Sequence, residues 1–197
     1  YASMYVEDNK GVRGTLQDVA RITSLIRKNH QGAHELSAVL EALYAGEVSY
    51  VDEYIGRVFQ TLEQRGLMKN ALVIVTSDHG ETMAEHSPQE VWDHGYMVFD
   101  STIRVPLILR FPNDQYGGTR VDNLLSNVDL MPTILDLLGI GAPTNVEGWS
   151  FAGLLTGERY KPREEAYSEA TKPSSSRFEK GTVWRNERKQ RGVRTAD

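Results

Sequence analysis

The segment ALVIVTSDHGE, residues 71–81, runs an apolar stretch straight into five residues that could do chemistry. Asp78 and His79 stand side by side, one hard oxygen donor next to one imidazole, a pair that suits a divalent cation. The run before them, Val73, Ile74 and Val75, does not alternate, and it predicts a central parallel strand buried on both faces. The polar cluster of Ser77, Asp78, His79, Gly80 and Glu81 then sits at the carboxyl end of a strand. That edge is where ligands collect in open α/β sheets. A polar turn after a core strand would read the same way, so these letters alone leave a ligand pair and a plain turn both open.

The elements that must hold this cluster can be read on either side of it. From Glu35, apolar residues recur at spacings of three and four: Leu36, Val39, Leu40, Leu43, Val48, Val51, Ile55, Val58, Phe59 and Leu62. This predicts an amphipathic helix with one apolar stripe, closed by Gly66. A short loop at Lys69 and Asn70 leads into the strand, giving a helix, loop and strand unit of a layered α/β protein. A second strand is expected over Arg104–Phe111, with Pro106 near its start and Pro112 and Asn113 ending it. Ser126–Gly139 predicts a further helix, with Asp129 as N-cap, Pro132 in the first turn, an apolar face of Ile134, Leu135 and Leu138, and Gly139 as its stop. A short capped helix at Ser150–Gly157, a strand beginning at Ala166–Ser168, an exposed loop over Lys172–Arg177, and a short helix at Val19, Ile22, Leu25 and Ile26 complete the reading.

Composition sets what class of protein this is. The chain has 197 residues, 40% hydrophobic and 25% charged, enough for a sizeable core. Its 22 basic and 27 acidic residues leave a net charge of -5, so no global basic field draws nucleic acid or an anionic membrane. It contains no cysteine, which excludes disulfides, zinc-thiolate sites and a cysteine nucleophile among these residues. No apolar run approaches the roughly 20 residues of a membrane span. The first residue is Tyr1, and the sequence reads as a piece of a longer polypeptide, leaving periplasmic, secreted and cytoplasmic locations open.

Four blocks carry a resemblance: YAGEVSYVDEYIGRVFQTLEQRGLMKNALVIVTSDHGE, HGYMVFDSTIRVPLILRFP, VDLMPTILDLLGI and EGWSFAGLLTG. In this order, over about residues 40–157, they resemble the C-terminal part of the sulfatase family within the alkaline phosphatase superfamily. The resemblance implies an α/β fold, an alkaline phosphatase-like three-layer sandwich with a large mixed sheet, of which this chain is a partial domain. It implies residues 1–157 as the C-terminal portion of the catalytic domain and 158–197 as the start of a C-terminal subdomain.

The resemblance also implies roles. Asp78 and His79 fall on the family's second pair of metal ligands, for one divalent ion. Calcium prefers oxygen ligands throughout, whereas the imidazole suits manganese, iron or zinc. His94, in the run Trp92, Asp93, His94, Gly95, matches the place where the family sets a Lys or His to steady the leaving oxygen, and a histidine can donate a proton there. It stands ten residues before Arg104, one more than the lysine type has, so the loop differs or the role lies elsewhere. Read from the residues themselves, Glu81 either positions a ligand or, as favoured, bonds to backbone amides; Arg104 either faces a substrate anion or, more commonly at a strand entrance, pairs with a carboxylate; His86, in a polar loop, is open between a functional and a plain loop residue; and His30 and His34 are expected to be solvated.

The resemblance implies a nucleophile and first ligand pair upstream, the nucleophile being a formylglycine made from Cys or Ser, as in many members, or a Ser or Thr, as in relatives that cleave phosphate esters. Thr171–Ser175 (TKPSS) is a near-miss to that signature, with Thr171 and Ser175 at its defining positions, and it lies on the wrong side of the metal pair. The expected activity is metal-dependent hydrolysis of a small-molecule or carbohydrate sulfate ester. Phosphate or phosphonate ester hydrolysis, phosphotransfer, and a catalytically silent fragment are the alternatives, and oligomeric state is open.

Overall fold

The computed structural model describes residues 15–28, 32–83, 85–86, 91–94, 97–173 and 186–196. These fall into two compact units, Tyr1–His94 with Asp100–Asn113, and Gly95–Phe99 with Asp114–Asp197.

In the first unit, helix α1 (Leu16–Arg27) opens on a capping box. The Asp18 amide donates to the Thr15 hydroxyl, and the Asp18 carboxylate accepts the Thr15 amide. Ile22 and Ile26, four apart, share a face that is buried against Leu40 and Leu43 of α2 (Ala33–Gln64). Each of these side chains contributes about 1.5–3 kcal/mol through burial. The apolar stripe of α2 continues beyond that cover. Val48, Val51 and Val58 are 53%, 53% and 56% exposed, because α1 has 12 residues against 32 in α2 and cannot run alongside all of it.

Gly66 ends α2 at φ +69°, the left-handed conformation that the closing turn requires. A single 3₁₀ turn, Met68–Asn70, then delivers the chain to β1 (Val73–Thr76), and the Arg110 guanidinium donates to the Met68 carbonyl at 2.8 Å.

Strand β1 corrects one expectation. Its partner is β4 (Leu107–Arg110), and the pairing is antiparallel, from Val73 opposite Arg110 to Thr76 opposite Leu107. Val73–Val75 are half-buried rather than covered on both faces. A Val/Ile run records an apolar surrounding and not a direction. Direction is set here by the intervening chain, which folds into a hairpin, β2 (Thr82–Met83) with β3 (Val91–Asp93), and a four-residue helix α3 (Asp100–Ile103). None of these makes the long crossover that a parallel neighbour needs. Helix α1 contacts β3, and α2 contacts β2, so the hairpin rests on the helix pair. Pro106 precedes β4, where its missing N–H costs no ladder bond.

The second unit is organised by Asp129. As expected it stands at the N-cap position of α4 (Leu130–Leu137), at the end of a 3₁₀ turn over Asn127–Asp129 that Ser126 leads into, but its side chain makes no capping bond to that helix. The Asp129 carboxylate instead accepts the amides of Ser126 and Trp149, both at 3.1 Å, and the Arg163 guanidinium, through Nε at 2.9 Å and through Nη2. Its carbonyl accepts the Thr133 hydroxyl, which in turn accepts the Phe151 amide just before α5 (Ala152–Thr156). Asp129 and Arg163 are 2% and 9% exposed, and Arg163 also stacks on Trp149 at 3.9 Å.

Removing one partner of such a pair leaves the other buried and uncompensated, so Arg163→Met should cost about 3–5 kcal/mol of stability. The denaturation midpoint in urea would show it, and a midpoint within error of the parent would contradict the ledger of this pair.

Two long strands close the described chain, β5 (Glu165–Pro173) and β6 (Asn186–Thr195), paired antiparallel from Glu165 opposite Thr195. β5 starts where a strand was expected. It also takes in Lys172 and Pro173 of the expected loop, whose remainder lies outside the described residues, and β6 was not foreseen. No helix among the described residues is long and apolar enough to cross a membrane.

Candidate metal and leaving-group site

The turn after β1 is shaped by its own polar atoms. The Asp78 carboxylate accepts the His79 amide through Oδ1 at 3.0 Å, and the Ser77 hydroxyl donates to the His79 carbonyl at 2.7 Å. These contacts anchor one oxygen of Asp78. The amide bond and the neighbouring imidazole hold this carboxyl below the usual carboxylate range, with the backbone hydrogen bond as the larger cause. Asp78 is 87% exposed and His79 44% exposed.

Gly80 fixes where this turn lies. Its amide donates to the Thr102 carbonyl at 2.9 Å, and a Cβ on Gly80 would stand 2.0 Å from the Ser101 carbonyl oxygen. Only glycine allows the two backbones to come this close. Gly80→Ala should therefore cost about 1–3 kcal/mol and displace Asp78 and His79 together. Thermal unfolding in the absence of metal measures the cost, and a melting temperature equal to the parent's would overturn it.

The His79 ring sets its own protonation pattern. Nδ1 lies 2.7 Å from the Gly80 carbonyl, which can only accept, so Nδ1 carries the proton and Nε2 the lone pair. A histidine poised as a metal ligand has this arrangement. Nε2 stands 3.8 Å from Asp78 Oδ2, a separation at which both donors can lie at the ordinary 2.0–2.4 Å or so from one cation. The donor set fits a divalent ion. It is also incomplete, because among the described residues no group of three or more His, Cys, Asp or Glu side chains could hold an ion by itself, and divalent ions take four or more ligands.

His94 joins this pair through the hairpin. In the antiparallel register of β2 and β3, Thr82 is opposite Asp93, and one step outward the same register sets Glu81 opposite His94. His94 Nδ1 is 2.9 Å from Glu81 Oε2, while Glu81 Oε1 accepts the Thr82 amide at 3.2 Å. The imidazole of His94 stacks on that of His79, with centroids 3.9 Å apart and planes 20° apart. The structure thus brings Asp78, His79 and His94 together.

Glu81 bonds to backbone as expected, and the sequence reading missed its second bond, to His94. A short hairpin following the acidic residue was the signal that could have suggested it. His86 and Arg104 are exposed. His34 lies in the first turn of α2, and His30 lies outside the described residues. Thr171–Pro173 belong to β5, and the rest of the TKPSS near-miss lies outside the described residues.

The mixed helices and strands, together with the likeness to solved structures of sulfatases and phosphonate hydrolases, place the chain in the alkaline phosphatase-like α/β class. A family model described as Sulfatase matches residues 2–140, and the chain belongs to the sulfatase family. It is 34% identical over 127 residues to an N-acetylglucosamine-6-O-sulfatase of Bacteroides thetaiotaomicron, a match covering 63% of this chain and 22% of that protein. Among solved structures, it resembles one in complex with its substrate D-glucosamine-2-N,6-O-disulfate, with TM-score 0.68, 26% identity, and coverage of 92% of this chain and 35% of the other. It also resembles the phosphonate monoester hydrolase of Silicibacter pomeroyi, with TM-score 0.63, 35% identity, and coverage of 72% and 28%. The chain spans about a fifth of the length of the curated relative.

Proposed function

We propose that this chain supplies two metal ligands, Asp78 and His79, and a leaving-group histidine, His94, to a metal-dependent hydrolase of sulfate esters. The observation that carries this reading is the stack of His94 on His79, which sets a proton carrier beside a ligand pair. The matched family supports the sulfate ester, and the relatives' amino-sugar sulfates support a carbohydrate sulfate as substrate. The nucleophile, formylglycine included, and the remaining ligands would come from outside this chain. Residues 1–157 would belong to the catalytic domain and 158–197 to the start of a further subdomain.

In this reading Asp78 and His79 would hold one divalent ion, calcium or, more in keeping with an imidazole ligand, manganese, iron or zinc. When bound, such an ion neutralises charge on the ester oxygens and helps activate the nucleophile. The low-titrating Asp78 stays ionised and available as a ligand well below neutral pH. His94, held by Glu81 through Nδ1, would act in its doubly protonated form, giving the Nε2 proton to the alcohol oxygen as the S–O bond breaks and being left neutral with its proton on Nδ1, so that the alcohol leaves neutral.

The likeness to a phosphonate monoester hydrolase supports a second reading, hydrolysis of phosphonate or phosphate monoesters at the same residues. The two are separated by kcat/KM of the full-length protein for a sugar sulfate against an aryl methylphosphonate. A preference for the sulfate is expected, and a preference for the phosphonate would replace the first reading with the second.

A further inference from the structure

Resting on that reading of His94, we propose that Glu81 is a positioning residue that selects the His94 tautomer and holds its ring in the stack with His79. A carboxylate oxygen only accepts, so the 2.9 Å contact between Glu81 Oε2 and His94 Nδ1 places a proton on Nδ1 and reserves Nε2 for exchange with the leaving group. Glu81 is suited to this by its own restraint. Its other oxygen accepts the Thr82 amide at 3.2 Å, and its side chain is 14% exposed, whereas that of His94 is 46% exposed.

The bond also has a cause in the backbone. Thr82 and Asp93 are a register pair of the β2–β3 hairpin, which sets the two preceding and following residues across from each other. One carboxylate therefore ties the turn bearing Asp78 and His79 to the residue that would carry the proton. The ring stack at 3.9 Å means that a rotation of His94 would move it off His79 as well as off Glu81.

The test uses the full-length protein with ¹⁵N-labelled histidine. Long-range ¹H–¹⁵N spectra of neutral His94 should show the proton on Nδ1 in the parent. They should show it on Nε2 in Glu81→Ala and in Glu81→Gln, the latter because an amide whose oxygen accepts the Thr82 N–H turns its NH2 donor toward His94 Nδ1. Metal content should be unchanged in both variants. Hydrolysis of an unactivated alkyl sulfate should slow about 10- to 100-fold in both variants, with much smaller losses for a nitrophenyl sulfate. Persistence of the Nδ1 proton in Glu81→Ala, or an equal slowing of both esters, would overturn the proposal. The spectra need no sulfatase activity. A protein that cleaves no sulfate ester but shows the tautomer change would contradict the function proposed above while leaving the Glu81–His94 coupling in place.

Discussion

Asp78→Asn and His79→Ala in the full-length protein are each expected to remove most of the bound divalent ion and most of the ester hydrolysis. The two substitutions act differently on the same pair. Asparagine keeps the Oδ1 contact that shapes the turn but loses the charge, and it presents a neutral amide where Oδ2 faces His79 Nε2 at 3.8 Å. Alanine at 79 removes the imidazole whose lone pair is set up by the 2.7 Å bond from Nδ1 to the Gly80 carbonyl. Binding needs deprotonated ligands already in place, so losing one of a few should lower affinity at least as strongly as the 10- to 100-fold typical of changes to supporting residues. Elemental analysis after exhaustive dialysis reads this directly. Parent-like metal content in both variants would remove Asp78 and His79 from the site.

His94→Ala should leave metal content normal and slow the hydrolysis of unactivated esters by about 10²- to 10⁴-fold, the usual range for a positioned proton donor. The loss should be far smaller for nitrophenyl sulfate, whose leaving group needs little help from an acid. The stack on His79 makes metal content a necessary control, because a ligand and its stacked neighbour could otherwise give similar losses. Equal slowing of both ester classes would make His94 a structural residue and point next to His86, which is exposed in the same hairpin connection.

The proximity of Asp78 and His79 at a strand's end was legible because its signal is local. A β-branched run followed by adjacent Asp and His needs no long-range information beyond the end of a strand. Helices α1, α2 and α4 were legible for a similar reason, since a 3.6-residue period is written within each segment and a glycine closes α2 and α4. The direction of β1 was not, because Val73–Val75 carry the same letters whichever way their neighbour runs. The place of Asp129 at the start of α4 was legible, but the bonds of its side chain were not, because Trp149 and Arg163 lie 20 and 34 residues further on. Glu81 lay between these cases. Its backbone bond is local and was expected, while its bond to His94 depends on a hairpin register that no spacing rule fixes when a bulge follows Thr82. The strand β6, rich in Lys and Arg, resembles a solvated segment until β5 pairs with it.

The most direct test of the account is sulfate release by the purified full-length protein from a sugar sulfate, measured before chelation, after chelation, and after return of manganese, zinc, iron or calcium. The account predicts that release falls to background on chelation, returns with at least one of these ions in the parent, and returns with none in Asp78→Asn. Sulfate release that survives chelation, or that the ion restores equally in Asp78→Asn, would contradict it.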